Sequence, residues 1–148
     1  MSDEKRILII EDSPTQAKRF ALMLESAGLE VECSERLDEG LRRIRRGGID
    51  ALLLDLTLPD SEGLQTFMTA RSQAAGTPLV VLTNLDDESV AATALQQGAA
   101  DYLIKSEVNQ NWLVRSIQHA IFSLMMRSQS RRLREPGTWN RNGEPRVN

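Results

Sequence analysis

The chain has 148 residues, which is near the usual size of one domain and long enough to bury a hydrophobic core without disulfides. Its net charge of -3 argues against a protein that coats nucleic acid or membrane surfaces, because such binding needs a broad basic field. Cys33 is the only cysteine, so no intrachain disulfide can form and a reducing compartment is favoured.

Five short apolar runs predict five β-strands. Three of them are almost continuously apolar, which is typical of strands that are buried on both faces of a parallel sheet. The second run alternates apolar and polar residues, so we expect it nearer an edge of the sheet. The runs lie at residues 7–10, 29–33, 51–54, 79–82 and 102–104.

Segments with helical periodicity separate these runs. Ser13 and Pro14 predict the N-cap and first residue of the first helix, and Ser34 is predicted to cap the second. The third and fourth helices should follow residues 60–61 and 86–87, and the fifth should begin near residue 111. The side chains expected to face inward are Ala17, Phe20, Ala21, Leu24 and Ala27; Leu37, Leu41 and Ile44; Val90, Ala91, Ala94 and Leu95; and Leu113, Ile117, Ala120, Ile121 and Leu124.

Strand and helix therefore alternate five times with short connections, a pattern that predicts a doubly wound parallel α/β sheet with helices on both faces. We expect this domain to span residues 1–127 and a basic, largely disordered extension to span residues 128–148. From residue 127 onwards the chain has six Arg and two Glu, so this stretch carries +4 and residues 1–126 carry -7. No run is long enough for a signal peptide core or a membrane span, so we expect a soluble, cytoplasmic protein.

Polar side chains follow the predicted strands at the edge where ligands bind in open parallel sheets. Glu11 and Asp12 follow the first strand, and Asp55 follows the third. Thr83 ends the fourth strand and Lys105 follows the fifth. Three carboxylates, one hydroxyl and one ammonium group should therefore meet at one edge of the sheet.

Three neighbouring carboxylates repel one another unless a cation neutralises them. A set of oxygen ligands suits Mg²⁺, which keeps several waters and accepts phosphate oxygens. Lys105 can pair with a carboxylate at rest and with a phosphoryl oxygen afterwards, and the Thr83 hydroxyl can bond the same group. Asp55 is then a plausible nucleophile that would form an aspartyl phosphate.

These residues resemble the receiver domain of two-component response regulators over roughly residues 6–126. The resemblance implies a flavodoxin-like strand order of 2-1-3-4-5. It rests on an ordered set of positions: the acidic pair Glu11 and Asp12, the phosphorylated Asp55, Pro59 and Gly63 after it, the switch residues Thr83 and Tyr102, and Lys105.

The resemblance implies that Glu11, Asp12, Asp55 and the backbone carbonyl of Thr57 bind Mg²⁺, with Glu11 acting through water. The phosphoryl donor would be a sensor histidine kinase or a histidine phosphotransfer protein. Phosphorylation would draw Thr83 inward and let Tyr102 rotate. The signal would then pass to a downstream protein through the fourth helix, fifth strand and fifth helix, and the resemblance also allows a phosphorylation-linked homodimer.

The sequence departs from the receiver pattern at three places. Ser106 replaces the proline usual after the lysine, where the family's peptide bond is typically cis, so this joint is either trans and rearranged or strained. Asn84 replaces a small residue and is expected to crowd the phosphate entrance. Thr57 and Leu85 stand where the family controls water access, and the apolar Leu85 indicates slow self-hydrolysis.

Other functions remain open as alternatives. A pseudo-receiver would bind proteins without being phosphorylated, although the retained acidic set argues against this. A phosphatase of the haloacid dehalogenase type would need a second aspartate two residues after Asp55, where Thr57 stands, and a flavodoxin-like carrier would need a phosphate loop after the first strand. We interpret His119 as a surface or interface residue, and the Arg131, Arg132 and Arg134 cluster as a solvated helix extension with no nucleic-acid partner.

Overall fold

The computed structural model describes residues 4–84 and 88–133, with backbone alone at residues 88 and 127–133. Within these residues, seven strands and five helices follow one another in the order β1 (Arg6–Ile10), α1 (Pro14–Glu25), β2 (Glu30–Ser34), α2 (Leu37–Arg45), β3 (Ala51–Asp55), β4 (Thr57–Leu58), β5 (Ser61–Glu62), α3 (Leu64–Gln73), β6 (Leu79–Thr83), α4 (Glu88–Gln96), β7 (Asp101–Ile104) and α5 (Gln110–Leu133).

Five of these strands form one parallel sheet in the order β2-β1-β3-β6-β7. This is the predicted order 2-1-3-4-5, so the predicted doubly wound fold is confirmed. The remaining two strands, β4 and β5, form a small antiparallel hairpin directly after Asp55. The sequence analysis did not predict this hairpin, because two-residue strands are too short to show any periodicity.

The sheet has a hydrophobic core on each face. Alternate residues of β1 contribute to opposite cores, with Ile7 and Ile9 on the face covered by α1 and α5, and Leu8 and Ile10 on the other. Strands β3 and β6 are buried along their whole length, whereas β2 lies at an edge and is only partly buried. Both observations agree with the apolar patterns, because a central strand must present apolar side chains to two cores.

Helix starts were predicted with mixed success. Ser13 caps α1 as predicted, with its hydroxyl accepting the Gln16 backbone N–H, and Pro14 is the first helical residue. Ser34 does not cap α2, because it is the last residue of β2. The cap comes instead from Asp60, whose two carboxylate oxygens accept the backbone N–H groups of Leu37 at 2.9 Å and Asp38 at 3.0 Å. A cap supplied from a distant loop leaves no local signal in the sequence.

Two residues predicted to face inward are exposed. Ala27 lies beyond the end of α1, and Leu95 on α4 has 47% of its surface exposed. Helix α3 begins at Leu64, after Gly63 with φ of +70°, a backbone conformation that favours glycine.

Helix α5 is longer than its apolar pattern, since it continues past residue 127 to Leu133. The domain boundary at 127/128 and the disorder of the extension stay predictions. Residues 134–148, which include Trp139, lie outside the described residues, as do Leu85 and the predicted start of the fourth helix at residues 86–87. Within the ranges that the structure describes, no helix has the length and hydropathy needed to cross a bilayer.

Candidate functional site

Four parallel strands bring the predicted site residues to one edge of the sheet. Glu11 and Asp12 follow the last residue of β1, and the Glu11 backbone N–H donates to the Ser34 carbonyl at 2.9 Å. Asp55 and Thr83 are the last residues of β3 and β6. Lys105 follows β7, and its backbone N–H donates to the Thr83 carbonyl at 2.9 Å. The sheet hydrogen bonds therefore fix the backbone from which each functional side chain extends.

Lys105 joins two of the carboxylates. Its ammonium nitrogen lies 3.1 Å from Asp55 Oδ2 and also forms a hydrogen-bonded ion pair with Glu11 Oε1. All three side chains are about 95% buried or more. Charges so far from water are stable only when they are paired, so this triad fixes the position of Asp55.

Glu11 is the member of the triad whose ionised form is least favoured. Burial, together with the neighbouring Asp55 carboxylate and partly offset by Lys105, raises the pKa of Glu11 to about 8. Its second oxygen, Oε2, is fully buried and has no hydrogen-bond partner among the described residues. One ammonium group does not compensate two ionised carboxylates, so without a further cation Glu11 holds a proton near neutral pH, and a cation could take the place of that proton.

A hard divalent cation fits this capacity. Oxygen atoms of Glu11, Asp12 and Asp55 lie within 4.8 Å of one another, and Asp12 is exposed to solvent while the other two are buried. Carboxylate oxygens at this spacing, with an open side towards water, are the ligands that Mg²⁺ takes when it keeps several of its waters. The predicted acidic cluster is therefore present as a group of neighbouring side chains.

The other predicted residues surround this cluster. The Thr57 backbone N–H donates to Asp55 Oδ1 at 3.1 Å, so the hairpin β4–β5 holds the second carboxylate oxygen. Thr83 is buried one position beyond Leu82, the residue that pairs with Asp55 across β3 and β6. Tyr102 on β7 is half-buried and packs against the core that contains Ala94 of α4.

Comparison with known proteins agrees with this geometry. Residues 7–118 match the family described as "Response regulator receiver domain". The chain belongs to this family.

Individual relatives of this receiver cover different lengths. Protein PilH of Pseudomonas aeruginosa is 32% identical over 114 residues, which cover 76% of this chain and 93% of PilH. The swarming motility regulation protein RssB of Serratia marcescens is 34% identical over 99 residues, which cover 67% of this chain and 45% of RssB. A CheY-like receiver domain from Methanospirillum hungatei JF-1 has a TM-score of 0.76 and 28% identity, covering 84% of this chain and 99% of that structure.

The receiver's departures from the family pattern can now be described. The described peptide bonds are all trans, including the Lys105–Ser106 bond, so the trans alternative for this joint is the one observed. Asn84 is exposed directly after β6, and His119 is exposed on α5. The sequence analysis gave no role to Arg19, whose guanidinium contacts the loop after Lys105, because no spacing rule links residues that are 86 positions apart.

Proposed function

We propose that this receiver is a phosphoacceptor switch of a two-component phosphorelay, with Asp55 as the acceptor and Mg²⁺ as its cofactor. The observation that carries the proposal is the buried triad in which Lys105 pairs with both Asp55 and Glu11. A lysine held at 3.1 Å from a carboxylate oxygen stays close enough to contact a phosphoryl group attached to that carboxylate.

In the proposed reaction, a carboxylate oxygen of Asp55 attacks the phosphorus of the donor. The bond from phosphorus to the donor's leaving atom breaks, which is P–N in a phosphohistidine and P–O in acetyl phosphate, and its electron pair stays with the donor. Lys105 and the Thr57 backbone N–H hold the two Asp55 oxygens and orient them for attack. The chain catalyses this transfer to itself and its later hydrolysis, and we propose no other enzymatic activity.

The residues proposed to hold Mg²⁺ are Glu11, Asp12, Asp55 and the backbone carbonyl of Thr57. Bound there, the ion would supply positive charge that offsets the oxygens of the transferring phosphoryl group. Glu11 is deeply buried and its Oε1 is occupied by Lys105, which supports a role through water rather than direct contact.

The proposed output depends on Thr83 and Tyr102. A phosphoryl group on Asp55 adds about 1.5 to 2 negative charges and three acceptor oxygens. The Thr83 hydroxyl would move towards these oxygens, and Tyr102 would turn further into its core. The conformation of α4, β7 and α5 would change with them, and this face would bind a downstream protein or a second copy of the receiver. Leu95 and Trp112, each 47% exposed, give this face apolar area.

The proposed donor is a sensor histidine kinase or a histidine phosphotransfer protein. Family membership supports a two-component partner kinase. The proposal includes a cytoplasmic location, the compartment expected from the single cysteine.

Mass spectrometry after incubation with acetyl phosphate and Mg²⁺ tests the proposal. We expect the mass to increase by one phosphoryl group, and we expect neither Asp55→Asn nor wild type in EDTA to be labelled. Asp50→Asn is a matched control, because Asp50 lies just before the opposite end of β3, where its carboxylate accepts the Arg6 backbone N–H. An unlabelled wild-type protein, under conditions that label other receivers, would instead support the pseudo-receiver function.

A further inference from the structure

Arg19 on α1 contacts the loop that carries Lys105. Its two terminal nitrogens donate to backbone carbonyls on either side of this loop, Nη1 to Lys105 O and Nη2 to Val108 O, each at 3.3 Å. Nη1 also donates to Gln16 Oε1 at 3.3 Å, one turn earlier on the same helix. The planar guanidinium thus bridges a helix and a loop that are almost ninety residues apart in sequence.

The loop after Lys105 is closed by its own backbone hydrogen bonds. The N–H groups of Glu107 and Val108 both donate to Ile104 O at 3.0 Å, which closes a tight turn after β7. Ser106 is exposed, and its side chain makes no hydrogen bond to another described residue. The Lys105 backbone is therefore held at its N–H by the Thr83 carbonyl and at its carbonyl by Arg19.

The Arg19 charge forms no ion pair with the side chains that are described, those of residues 4–84 and 89–126. No carboxylate among them lies within 4.0 Å of it, whereas Arg6, Arg36 and Arg43 all have acidic partners. The guanidinium carbon lies 5.0 Å from the centre of the Phe20 ring. Phe20 is fully buried and lines the space beneath Glu11, Asp55 and Lys105. Arg19 is thus oriented by two carbonyls of the loop and by a ring that lines the same space as the triad.

We propose that Arg19 is a positioning residue for Lys105. By fixing the carbonyl of Lys105, it sets the direction in which the lysine side chain enters the site, and so keeps the ammonium group on Asp55. The trans joint at Ser106 lacks a proline ring to restrict the backbone, and the Arg19 fork supplies this restriction from outside the loop. This inference rests on the proposed phosphoacceptor function, because it assigns Arg19 a part in that reaction.

The labelling rate with acetyl phosphate and Mg²⁺ tests this role in Arg19→Gln and Arg19→Lys. A displacement of about 1 Å at a reacting group can slow a reaction by up to about a hundredfold, and we expect Arg19→Gln to be about tenfold slower. Arg19→Lys keeps the charge but cannot bridge two carbonyls, so we expect it to be slow as well. Lys18→Gln, which changes the exposed neighbour on α1, is the matched control and should label at the wild-type rate.

A double-variant cycle separates positioning from simple loss of stability. If Arg19 acts through Lys105, Arg19→Gln has no further effect on the labelling rate in a Lys105→Gln protein, and additive effects would overturn the inference. The ¹H–¹⁵N signals of the Lys105 side chain and of the Val108 amide give a readout that needs no phosphorylation, and both should shift in Arg19→Gln. If the wild type is labelled, and Arg19→Gln keeps both the wild-type labelling rate and the wild-type signals, the positioning role of Arg19 is refuted while the proposed function stands. If the wild type is not labelled but the signals shift in Arg19→Gln, the proposed function is refuted while the contact by which Arg19 positions Lys105 is supported.

Discussion

Removing the proposed phosphoacceptor should stabilise the metal-free protein. In Asp55→Asn, Glu11 loses the neighbouring charge that raises its pKa, while Lys105 keeps Glu11 as its partner. At about pH 9, above the pKa of Glu11, both carboxylates of the wild type are ionised and repel each other most strongly. We therefore expect a larger free energy of unfolding for the variant than for the wild type in EDTA at this pH.

The magnitude follows from the spacing of the charges. Two unit charges within 4.8 Å repel by at least about 3.5 kcal/mol at an effective dielectric constant of about 20. The variant loses the attraction between Lys105 and Asp55, which is about 5 kcal/mol at 3.1 Å by the same estimate, but it avoids the cost of burying the Asp55 charge, which is several kcal/mol. With a burial cost of about 4 kcal/mol, the net stabilisation is about 2 kcal/mol.

Chemical denaturation with and without metal measures this effect. A ligand at a hundred times its dissociation constant stabilises the folded state by about 2.7 kcal/mol. We expect Mg²⁺ to give the wild type a gain of this size and to give Asp55→Asn much less, so the order of stability should reverse. Asp12→Asn is a control with a smaller expected effect in EDTA, because Asp12 is exposed. A variant that is less stable than the wild type in EDTA at about pH 9 would refute the electrostatic reasoning.

Three further predictions concern stability and activity. Lys105→Gln leaves two buried carboxylates without their cation, so we expect a loss of about 3 to 5 kcal/mol in EDTA by denaturation and labelling slower by about a hundredfold. Asp60→Ala removes the cap of α2, with an expected loss of about 1 kcal/mol at neutral pH. Burial opposes ionisation of Asp60, but the N–H donors of α2 outweigh this effect and lower the pKa of Asp60. The stabilisation is therefore present above the unfolded pKa of about 3.9 and disappears as the pH falls through the folded pKa. A stability difference between wild type and Asp60→Ala that stays constant down to about pH 2 would contradict the assignment of this cap. Gly40→Ala should lower the free energy of unfolding by about 1 to 2 kcal/mol despite the better helix propensity of alanine, because a Cβ there would overlap Ile10 at Cδ1 and Cγ1. A thermal midpoint above that of wild type would show instead that α2 can move away from Ile10.

The sequence predicted the main sheet well because burial and connection length constrain it strongly. Strands β3 and β6 are buried on both faces, and only continuous apolar runs satisfy that environment. The hairpin β4–β5 and the cap from Asp60 were missed for a common reason. Both depend on contacts that form only after the chain has folded, as when Asp60 reaches backbone groups 22 and 23 residues earlier.

The candidate site, like the fold, could be predicted only in part from the sequence. Glu11, Asp55, Thr83 and Lys105 could be predicted because parallel strands end at the same edge, so a residue's position in its strand determines its position in the site. The paired ammonium group and the buried Glu11 oxygen could not be predicted, since they depend on side-chain directions within a packed interior. The contact of Arg19 is still harder to predict, because its guanidinium contacts a backbone carbonyl of the Lys105 loop. Every residue type has the same carbonyl, so the sequence of the loop carries no signal for this contact. A residue that positions the lysine through a backbone carbonyl, as we propose for Arg19, can therefore be found only from the folded structure.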